Sequence, residues 1–292
     1  MKGTSMKRFG KILKVALPTT ALVVGLAACG SSSSSTSTTG GTSTTSSVSG
    51  TLNGSGSTFQ LAYQQSAIAA FKKDAPALTV NYGGGGSGKG RTDLAAGVVN
   101  YAGSDSPIPA ADASKFTGTV LYFPVVVGPI TLSYNLSGIK GLKLDGTTTA
   151  KIFSGTITTW NDAAIKALNP GVSLPSTAIT IARRADSSGT TDNFSQFLSQ
   201  SAGADWTLGT GSTINFPASS RGGNGNGGVA QIVASTPGAI GYVDFADATA
   251  AGLSFASIKN RDGKFVAPSI AGATAAAANA TVKSDLTFSA IW

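Results

Sequence analysis

Three short turns rich in glycine and hydroxyl residues constrain the fold most, because each lies between a strand-like run and a helix-like run. Their sequences are GSGSTFQ, GGGGSGKG and RRADSSGTTDNF. The first N–H groups of a helix lack internal partners and carry partial positive charge, and glycine lets an anion approach the backbone. Sheets of α/β proteins bind ligands at such strand ends. One turn alone is weak evidence, since Ser and Thr also cap helices, but three together favour an anion site.

From Thr51 onward, strand-like and helix-like segments alternate along the chain. LTVNY, TAITIARR and GAIGYVDF are apolar and strand-like, as is the long run VLYFPVVVGPITLSYN. QLAYQQSAIAAFKK, TTWNDAAIKAL and TTDNFSQFLSQ have helical character. The alternation predicts an α/β fold in which helices cover both faces of the sheets.

Residues 1–28 have the form of a secretory signal of the lipoprotein kind. Basic residues precede the run VALPTTALVVGLAA, and LAAC places small residues before Cys29, the only cysteine. The run is shorter than the roughly 20 apolar residues that span a bilayer, and Pro18 interrupts it. We therefore expect Cys29 to be lipidated; the alternative is an ordinary cleaved signal with a stray thiol. Residues 29–50, nearly all Ser, Thr and Gly, predict a flexible tether.

Most of the net charge belongs to this signal. The chain carries 21 Lys and Arg against 13 acidic residues, and leaving out the five basic residues of the signal lowers the net charge from +8 to about +3. Such a small charge gives little reason to propose a nucleic-acid partner.

The residue inventory excludes several kinds of chemistry. The chain has no histidine, all 13 acidic residues are Asp, and the one cysteine lies at the lipid position. A His/Cys metal site, a Ser-His triad and a Cys-His pair therefore cannot form. We expect no metal, no cofactor and no disulfide.

Two glycine patterns resemble nucleotide-binding motifs. Gly83 to Lys89 satisfies G-x-x-x-x-G-K, but Gly90 follows where the phosphate loop of a nucleotide hydrolase requires Ser or Thr for magnesium. Gly223-x-Gly225-x-x-Gly228 mimics the dinucleotide fingerprint, yet no clear strand precedes it. We interpret the second pattern as a glycine loop that leads into the helix VAQIVAS.

Two charged positions sharpen the anion hypothesis. Arg184 ends a strand-like run, and its planar donors match an oxyanion. Asp105 lies in the turn YAGSDSPI and suits only a ligand that keeps a proton, because a carboxylate accepts a hydrogen bond from P–OH but repels a bare oxygen. Phosphate retains a proton at neutral pH and sulfate does not. The alternative is that Asp105 caps a turn and Arg184 forms a surface pair.

These segments resemble the phosphate-binding proteins of the bacterial ABC phosphate transporter. The likeness runs in family order through GSGSTF, VNYGGGGSGKG, AGSDSPI, FPVVVGPITLSYN, IFSGTITTWNDAAIKALNPG, ARRADSSGTTDNFSQFL and GAIGYVDFA, over about residues 51–250. The resemblance implies a two-lobed, type II periplasmic-binding fold that closes on one dehydrated phosphate. Residues 51–124 and 247–292 would form lobe 1 and residues 125–246 lobe 2. The run from Val120 to Asn135 and the segment GAIGYVDF would form a two-segment hinge.

The resemblance assigns the phosphate contacts to both lobes. In lobe 1, Asp105 accepts the ligand proton. Donors there are Thr58, the Phe59 amide and Ser87. In lobe 2, Arg184 supplies charge and Asp186 orients it. Donors there are Ser188, Gly189 and Thr190.

The chain departs from the family pattern at two places. The family often has SSGG after the loop glycines, whereas Lys89 lies here between Gly88 and Gly90, so the second serine donor is replaced or lost. Relatives usually continue with a further strand and helix that complete lobe 1, so the resemblance implies a short carboxyl-terminal end.

The resemblance implies that the protein is not an enzyme. It would be a monomer that captures inorganic phosphate outside the cytoplasm, is held at the membrane by the lipid on Cys29, and delivers phosphate to transmembrane permease subunits. Three alternatives are a binding protein for sulfate or molybdate, a secreted phosphoesterase limited to Asp, Ser and Lys chemistry, and a surface adhesin without a ligand.

Overall fold

The computed structural model describes residues 48–291. The predicted signal (1–28), the predicted lipidation site Cys29 and most of the predicted tether (29–50) lie outside the described residues. Within residues 48–291, no helix combines the length and hydropathy that crossing a membrane requires.

A parallel three-stranded sheet forms the amino-terminal part of the described chain. Its strands are β1 (Gly50–Gly56), β2 (Leu78–Gly83) and β3 (Tyr101–Gly103), in the order β2-β1-β3. Helix α1 (Leu61–Asp74) connects β1 to β2, and α2 (Ser87–Ala95) connects β2 to β3. Because the strands run in one direction, the turns that follow them emerge at one edge of the sheet.

A mixed five-stranded sheet follows, in the order β7-β6-β8-β4-β9. Strand β6 pairs in parallel with β7 and β8, whereas β4 pairs antiparallel with β8 and β9. The strands are β4 (Ile130–Tyr134), β6 (Thr180–Arg184), β7 (Arg221–Gly223), β8 (Ala239–Asp244) and β9 (Ser254–Phe255). A small third sheet, in the order β11-β10-β5, comprises β5 (Lys143–Leu144), β10 (Ser257–Lys259) and β11 (Phe265–Val266).

Within residues 48–291, six further α-helices and two 3-10 turns lie between these strands or, for the last helix, after them. The helices are α3 (Gly146–Phe153), α4 (Ala163–Leu168), α5 (Gly189–Ala202), α6 (Gly225–Ser235), α7 (Phe245–Ala250) and α8 (Ile270–Ala278). The 3-10 turns are Ala110–Lys115 and Gly203–Asp205. The predicted α/β class, with mixed sheets flanked by helices, is confirmed.

Side-chain caps fix where several helices begin. Asp145 accepts the Thr148 N–H at 2.8 Å before α3, and Asp162 accepts the Ala164 N–H at 2.8 Å before α4. Ser188 Oγ accepts the Thr191 N–H at 3.2 Å before α5. Each cap satisfies one N–H that the helix cannot pair internally. The cap at Ser188 matters most for function, because it fixes the turn that begins α5.

The main hydrophobic core surrounds β4, β6, β8 and α5. Trp160, Phe153 and Tyr242 are fully buried there. The ring of Phe194 on α5 stacks on that of Tyr242 at 4.5 Å between centroids and meets Phe153 edge-on at 4.8 Å. This aromatic packing holds α5 against β8, next to the ends of the strands.

The long apolar run from Val120 to Asn135 is less regular than its sequence suggests. Only its last part forms a strand, β4, because Pro124 and Pro129 have no N–H to donate to a ladder. The Leu121 and Phe123 side chains are 70% and 71% exposed. They line a groove of about 1020 Å³ together with Val266 and Leu286.

The strands after residue 250 add to the second and third sheets. Strand β9 pairs with β4, and β10 pairs in parallel with β5. These pairs attach part of the 247–292 segment, predicted for lobe 1, to strands from the segment predicted for lobe 2. The division into lobes stays a prediction.

We expect Ile152→Ala to lower the free energy of unfolding by about 2–5 kcal/mol, because Ile152 on α3 is fully buried and the change leaves a cavity. Urea unfolding followed by circular dichroism measures the change. The matched control is Ile270→Ala at the start of α8, where the side chain is 62% exposed, with an expected change within about 0.5 kcal/mol. Equal losses for the two variants would contradict the assigned core.

Candidate functional site

The turns after β1, β2 and β6 meet where α2 and α5 begin. Ser87 opens α2, Ser188 caps α5, and both are fully buried. A Cβ atom at Gly189 would lie 2.5 Å from Ser87 Oγ and 2.7 Å from the Asp105 Cβ, so only glycine lets α5 approach this closely. The amide hydrogens of Gly189 and Thr190 belong to the unpaired first turn of α5. The three turns singled out in the sequence thus come together.

Asp105 lies at the centre of this meeting point. Its carboxylate accepts a short hydrogen bond from Ser57 Oγ and one from Ser87 Oγ at 3.2 Å. Its backbone carbonyl accepts from Asn193 Nδ2 of α5 at 2.8 Å. Burial raises the pKa of the carboxyl, while the two serine hydrogen bonds and the charges of Arg184 and Arg91 oppose that rise.

Arg184, the predicted source of positive charge, is buried at the end of β6 rather than in a surface pair. Its Nε donates to Asp186 Oδ1 at 2.8 Å, and its Nη2 makes a short ion pair with Asp186 Oδ2. Its Nη1 donates to Thr190 Oγ1 at 3.2 Å. Burial alone would raise the pKa of Asp186, but the hydrogen bonds and charge of Arg184 outweigh it and hold that pKa below its usual range. The guanidinium is therefore held by a bidentate partner at the end of β6.

Thr58 and Phe59 form the turn between β1 and α1. Thr58 Oγ1 accepts from the backbone N–H of Asn226 at 3.3 Å and from Asn226 Nδ2 at 3.2 Å. A hydroxyl has two acceptor lone pairs and one proton, so its own proton remains for another acceptor. Phe59 is half-buried, and its ring lies against Gly128. Of the predicted residues, Phe59 and Asp105 of the 51–124 segment and Thr190 of the 125–246 segment line one cleft, which is part of the groove of about 1020 Å³.

Three buried polar residues at the site were not singled out from the sequence. Asn226 makes a short hydrogen bond to Asp244 Oδ2 as well as its bonds to Thr58. Thr190 Oγ1 donates to Asp244 Oδ2 at 3.0 Å. Burial first, and then the Asp105 charge, raises the pKa of Asp244 to about 8. Arg91 on α2 is the third residue. The position of Asp244 at the end of the strand-like run GAIGYVDF was the one available sequence signal.

Tyr242 connects the core to the site without facing the cleft. Its ring is fully buried, and its hydroxyl accepts the Arg184 N–H at 3.1 Å and bonds Thr191 Oγ1 at 2.8 Å. The same side chain thus packs in the aromatic core and fixes the backbone at Arg184 and at the start of α5.

Comparisons with known proteins show what this chain is similar to. A family model described as the PBP superfamily domain matches residues 41–289. The phosphate-binding protein PstS 3 of Mycobacterium leprae is 41% identical over 212 residues, which cover 71% of this chain and 57% of that protein. The phosphate-binding protein PstS3 of Mycobacterium bovis is 37% identical over 286 residues, covering 92% of this chain and 76% of that protein. The chain thus spans 57% of the length of the first of these relatives.

A solved structure shares the fold. The structure of a high-affinity periplasmic phosphate-binding protein, PfluDING, bound with phosphate at pH 8.5, superposes with a TM-score of 0.64 at 26% identity. The alignment covers 79% of this chain and 68% of that one.

The raised pKa of the buried Asp244 predicts that the ligand-free protein loses stability as the pH rises. An unfolded Asp releases its proton near pH 4, whereas folded Asp244 keeps it until about pH 8. Between these values the folded state binds more protons, so the free energy of unfolding falls by at most about 1.4 kcal/mol per pH unit for each proton held.

Urea unfolding in phosphate-free buffer from pH 5 to pH 8 measures this slope. Asp244→Asn removes the titrating group but keeps a similar shape, so we expect a shallower slope. The control Asp112→Asn changes a surface aspartate of the 110–115 turn that pairs with Lys115, and we expect the wild-type slope. A wild-type slope in Asp244→Asn would contradict the assignment.

Proposed function

The chain belongs to the PBP superfamily and is a homologue of the PstS phosphate-binding proteins, and from this membership we propose that it captures inorganic phosphate outside the cytoplasm. It then delivers the ion to an ABC permease. No covalent chemistry is involved, and the relatives above are named as binding proteins.

One observation carries the proposal: a half-buried carboxylate, Asp105, lies beside several hydrogen-bond donors and a cation that suit an anion. The surrounding donors are the Arg184 guanidinium, the free hydroxyl proton of Thr58, and the first amides of α5. A fully ionised anion would meet repulsion from Asp105, whereas phosphate offers that carboxylate a P–OH donor. The arrangement therefore supports selection for a tetrahedral anion that keeps a proton.

The predicted contacts divide naturally into charge and hydrogen-bond donors. Arg184, oriented by Asp186, supplies the positive charge, and Asp105 accepts the ligand proton. The predicted donors are Thr58, the Phe59 amide, Ser87, Ser188, Gly189 and Thr190. The hydroxyl protons of Ser87 and Thr190 point to Asp105 and Asp244 in this structure and would turn to the ligand on binding. Ser188 Oγ, which caps α5, has a proton of its own to give because the cap uses it only as an acceptor.

Several finer features belong to the same proposal. Lipidation of Cys29 and a tether over residues 29–50 would hold the folded part at the membrane. Two lobes, residues 51–124 with 247–292 and residues 125–246, would close on phosphate around the two-segment hinge. The bonds from Asn226 to Thr58 and from Asn193 to Asp105 would form on closure. The protein would act as a monomer with permease subunits as partners.

Calorimetric titration at neutral pH of protein stripped of bound anion tests the proposal. We expect one phosphate per chain and no heat with sulfate, since a site built around a ligand proton rejects a ligand without one by roughly 10⁴- to 10⁵-fold. Release of phosphate from a chromogenic ester, abolished by Ser188→Ala, would instead favour an enzyme. No response to either anion from folded protein would contradict the proposal.

We expect Asp105→Asn to weaken phosphate binding by about 10- to 100-fold, because it replaces a charged acceptor of the ligand proton. The same variant should bind sulfate more tightly than the wild type does, because the amide adds a donor and removes a negative charge. Asp112→Asn serves as the matched control and should bind both anions like the wild type. Equal effects of Asp105→Asn on phosphate and sulfate would contradict the proton-accepting role.

A further inference from the structure

Arg91 on α2 is a buried arginine whose charge has no carboxylate partner among the ion pairs of residues 48–291. The residue is 8% exposed. Its Nη1 donates to Ser104 Oγ at 3.0 Å and to Ser106 Oγ at 3.3 Å, and its Nη2 donates to Ser212 Oγ at 3.3 Å. Burial of a charge is costly unless it is paired, so neutral hydroxyls alone compensate it poorly.

Two of these serines flank Asp105 directly. Ser104 and Ser106 precede and follow Asp105, and Ser104 Oγ also donates to the Ser106 carbonyl at 2.6 Å. The guanidinium therefore fixes the short turn that carries the carboxylate. Lys89, two residues earlier on α2, could not do so, because its Nζ lies at the surface and pairs with Asp93 at 2.5 Å.

The third serine belongs to the opposite side of the cleft. The Ser212 carbonyl accepts the Ser188 N–H at 2.9 Å, and its hydroxyl accepts from Ser187 Oγ at 2.9 Å. Ser212 thus supports the turn that begins α5. Arg91 connects the Asp105 turn to this turn with a single planar group, and the Gly88 N–H adds a bond to the Ser187 carbonyl at 3.0 Å.

The charged and titratable groups around Asp105 come from four elements. Arg91 of α2 and Arg184 of β6 lower the pKa of Asp105, against the rise caused by burial. Asp244 at the end of β8 is coupled to Asp105 by charge repulsion. Tyr82 of β2, whose pKa is raised by burial and then by Asp105, stays neutral. Two cations therefore oppose the rise that burial causes in the pKa of Asp105. One of them, Arg184, is already paired with Asp186.

We propose that Arg91 is a specificity-determining positioning residue. Its planar group holds the turn that carries Asp105 against the turn that begins α5, and its positive charge favours the ionised carboxylate that accepts the ligand proton. This inference rests on the proposed phosphate-binding function. An ionised Asp105 attracts P–OH and repels sulfate, whereas a protonated Asp105 would lose the first interaction and offer sulfate a donor. Arg91 therefore sets the pH range over which the site distinguishes the two anions.

The test is calorimetric titration of the full chain and its variants with phosphate and with sulfate from pH 5 to pH 9. Arg91→Gln removes the charge, Arg91→Lys keeps it without the planar fork, and Ser212→Ala removes only the bond across the cleft. Lys89→Gln is the control, since it removes one charge from the exposed side of the same helix.

We expect Arg91→Gln to weaken phosphate binding about tenfold at neutral pH. Affinity is high where Asp105 is ionised and is lost as the pH falls through its pKa, so loss of the Arg91 charge should move this decline to higher pH. Sulfate binding should become stronger in the same range. Arg91→Lys and Ser212→Ala should weaken phosphate binding with a near wild-type pH profile, and Lys89→Gln should match the wild type.

The outcomes separate this inference from the function on which it rests. If the wild type binds no phosphate, the proposed function fails whatever the variants do. If the wild type binds phosphate and Arg91→Gln has the same pH profile and the same sulfate rejection, the inference is overturned. If Arg91→Gln does not fold, Arg91→Lys and Ser212→Ala test the inference instead. Phosphate affinity equal to that of the wild type in both variants would overturn the inference.

Discussion

The half-buried carboxylate of Asp105 is the physical constraint on which the rest of the site depends. A charge removed from water must be compensated, and the chain does so with hydroxyls of Ser57 and Ser87 and with the cations Arg184 and Arg91. These residues come from both sides of the cleft. The compensation of one charge therefore brings the strand ends of the first and second sheets together.

Backbone geometry makes this meeting possible. Gly189 lets α5 begin against Ser87 and Asp105, and Gly90 lets α2 pass the end of β1, where a Cβ would lie 2.7 Å from the Gly56 Cα. The aromatic core then holds α5 through the stack of Phe194 on Tyr242. Because the Tyr242 hydroxyl also contacts Arg184 and Thr191, core packing sets the position of the cation and the helix start.

Much of the fold and the central site residues could be predicted from the sequence. The runs that form β6, β8 and α5 have clear periodicity. The glycine pattern that was rejected as a phosphate loop forms the turn from β2 into α2. Strand β7 was missed because it has only three residues, two of them glycine. Prolines 124 and 129 explain why a strongly apolar run is mostly irregular.

The supporting residues could not be predicted, because their roles arise only from tertiary contacts. Nothing near Asn226 in the sequence indicates Thr58, which lies 168 positions away, and Arg91 meets Ser212 across 121 positions. Local sequence patterns identify the ends of strands and the caps of helices. Which side chains compensate a buried charge depends instead on which strand ends lie together in the folded protein.

A high-resolution crystal structure of the protein grown with phosphate tests the central claim most directly. The account predicts one phosphate between α2 and α5, with one oxygen at a short hydrogen-bond distance from the Asp105 carboxylate and others on Arg184 and the first amides of α5. A phosphate bound away from Asp105, or held from one side of the cleft alone, would contradict it.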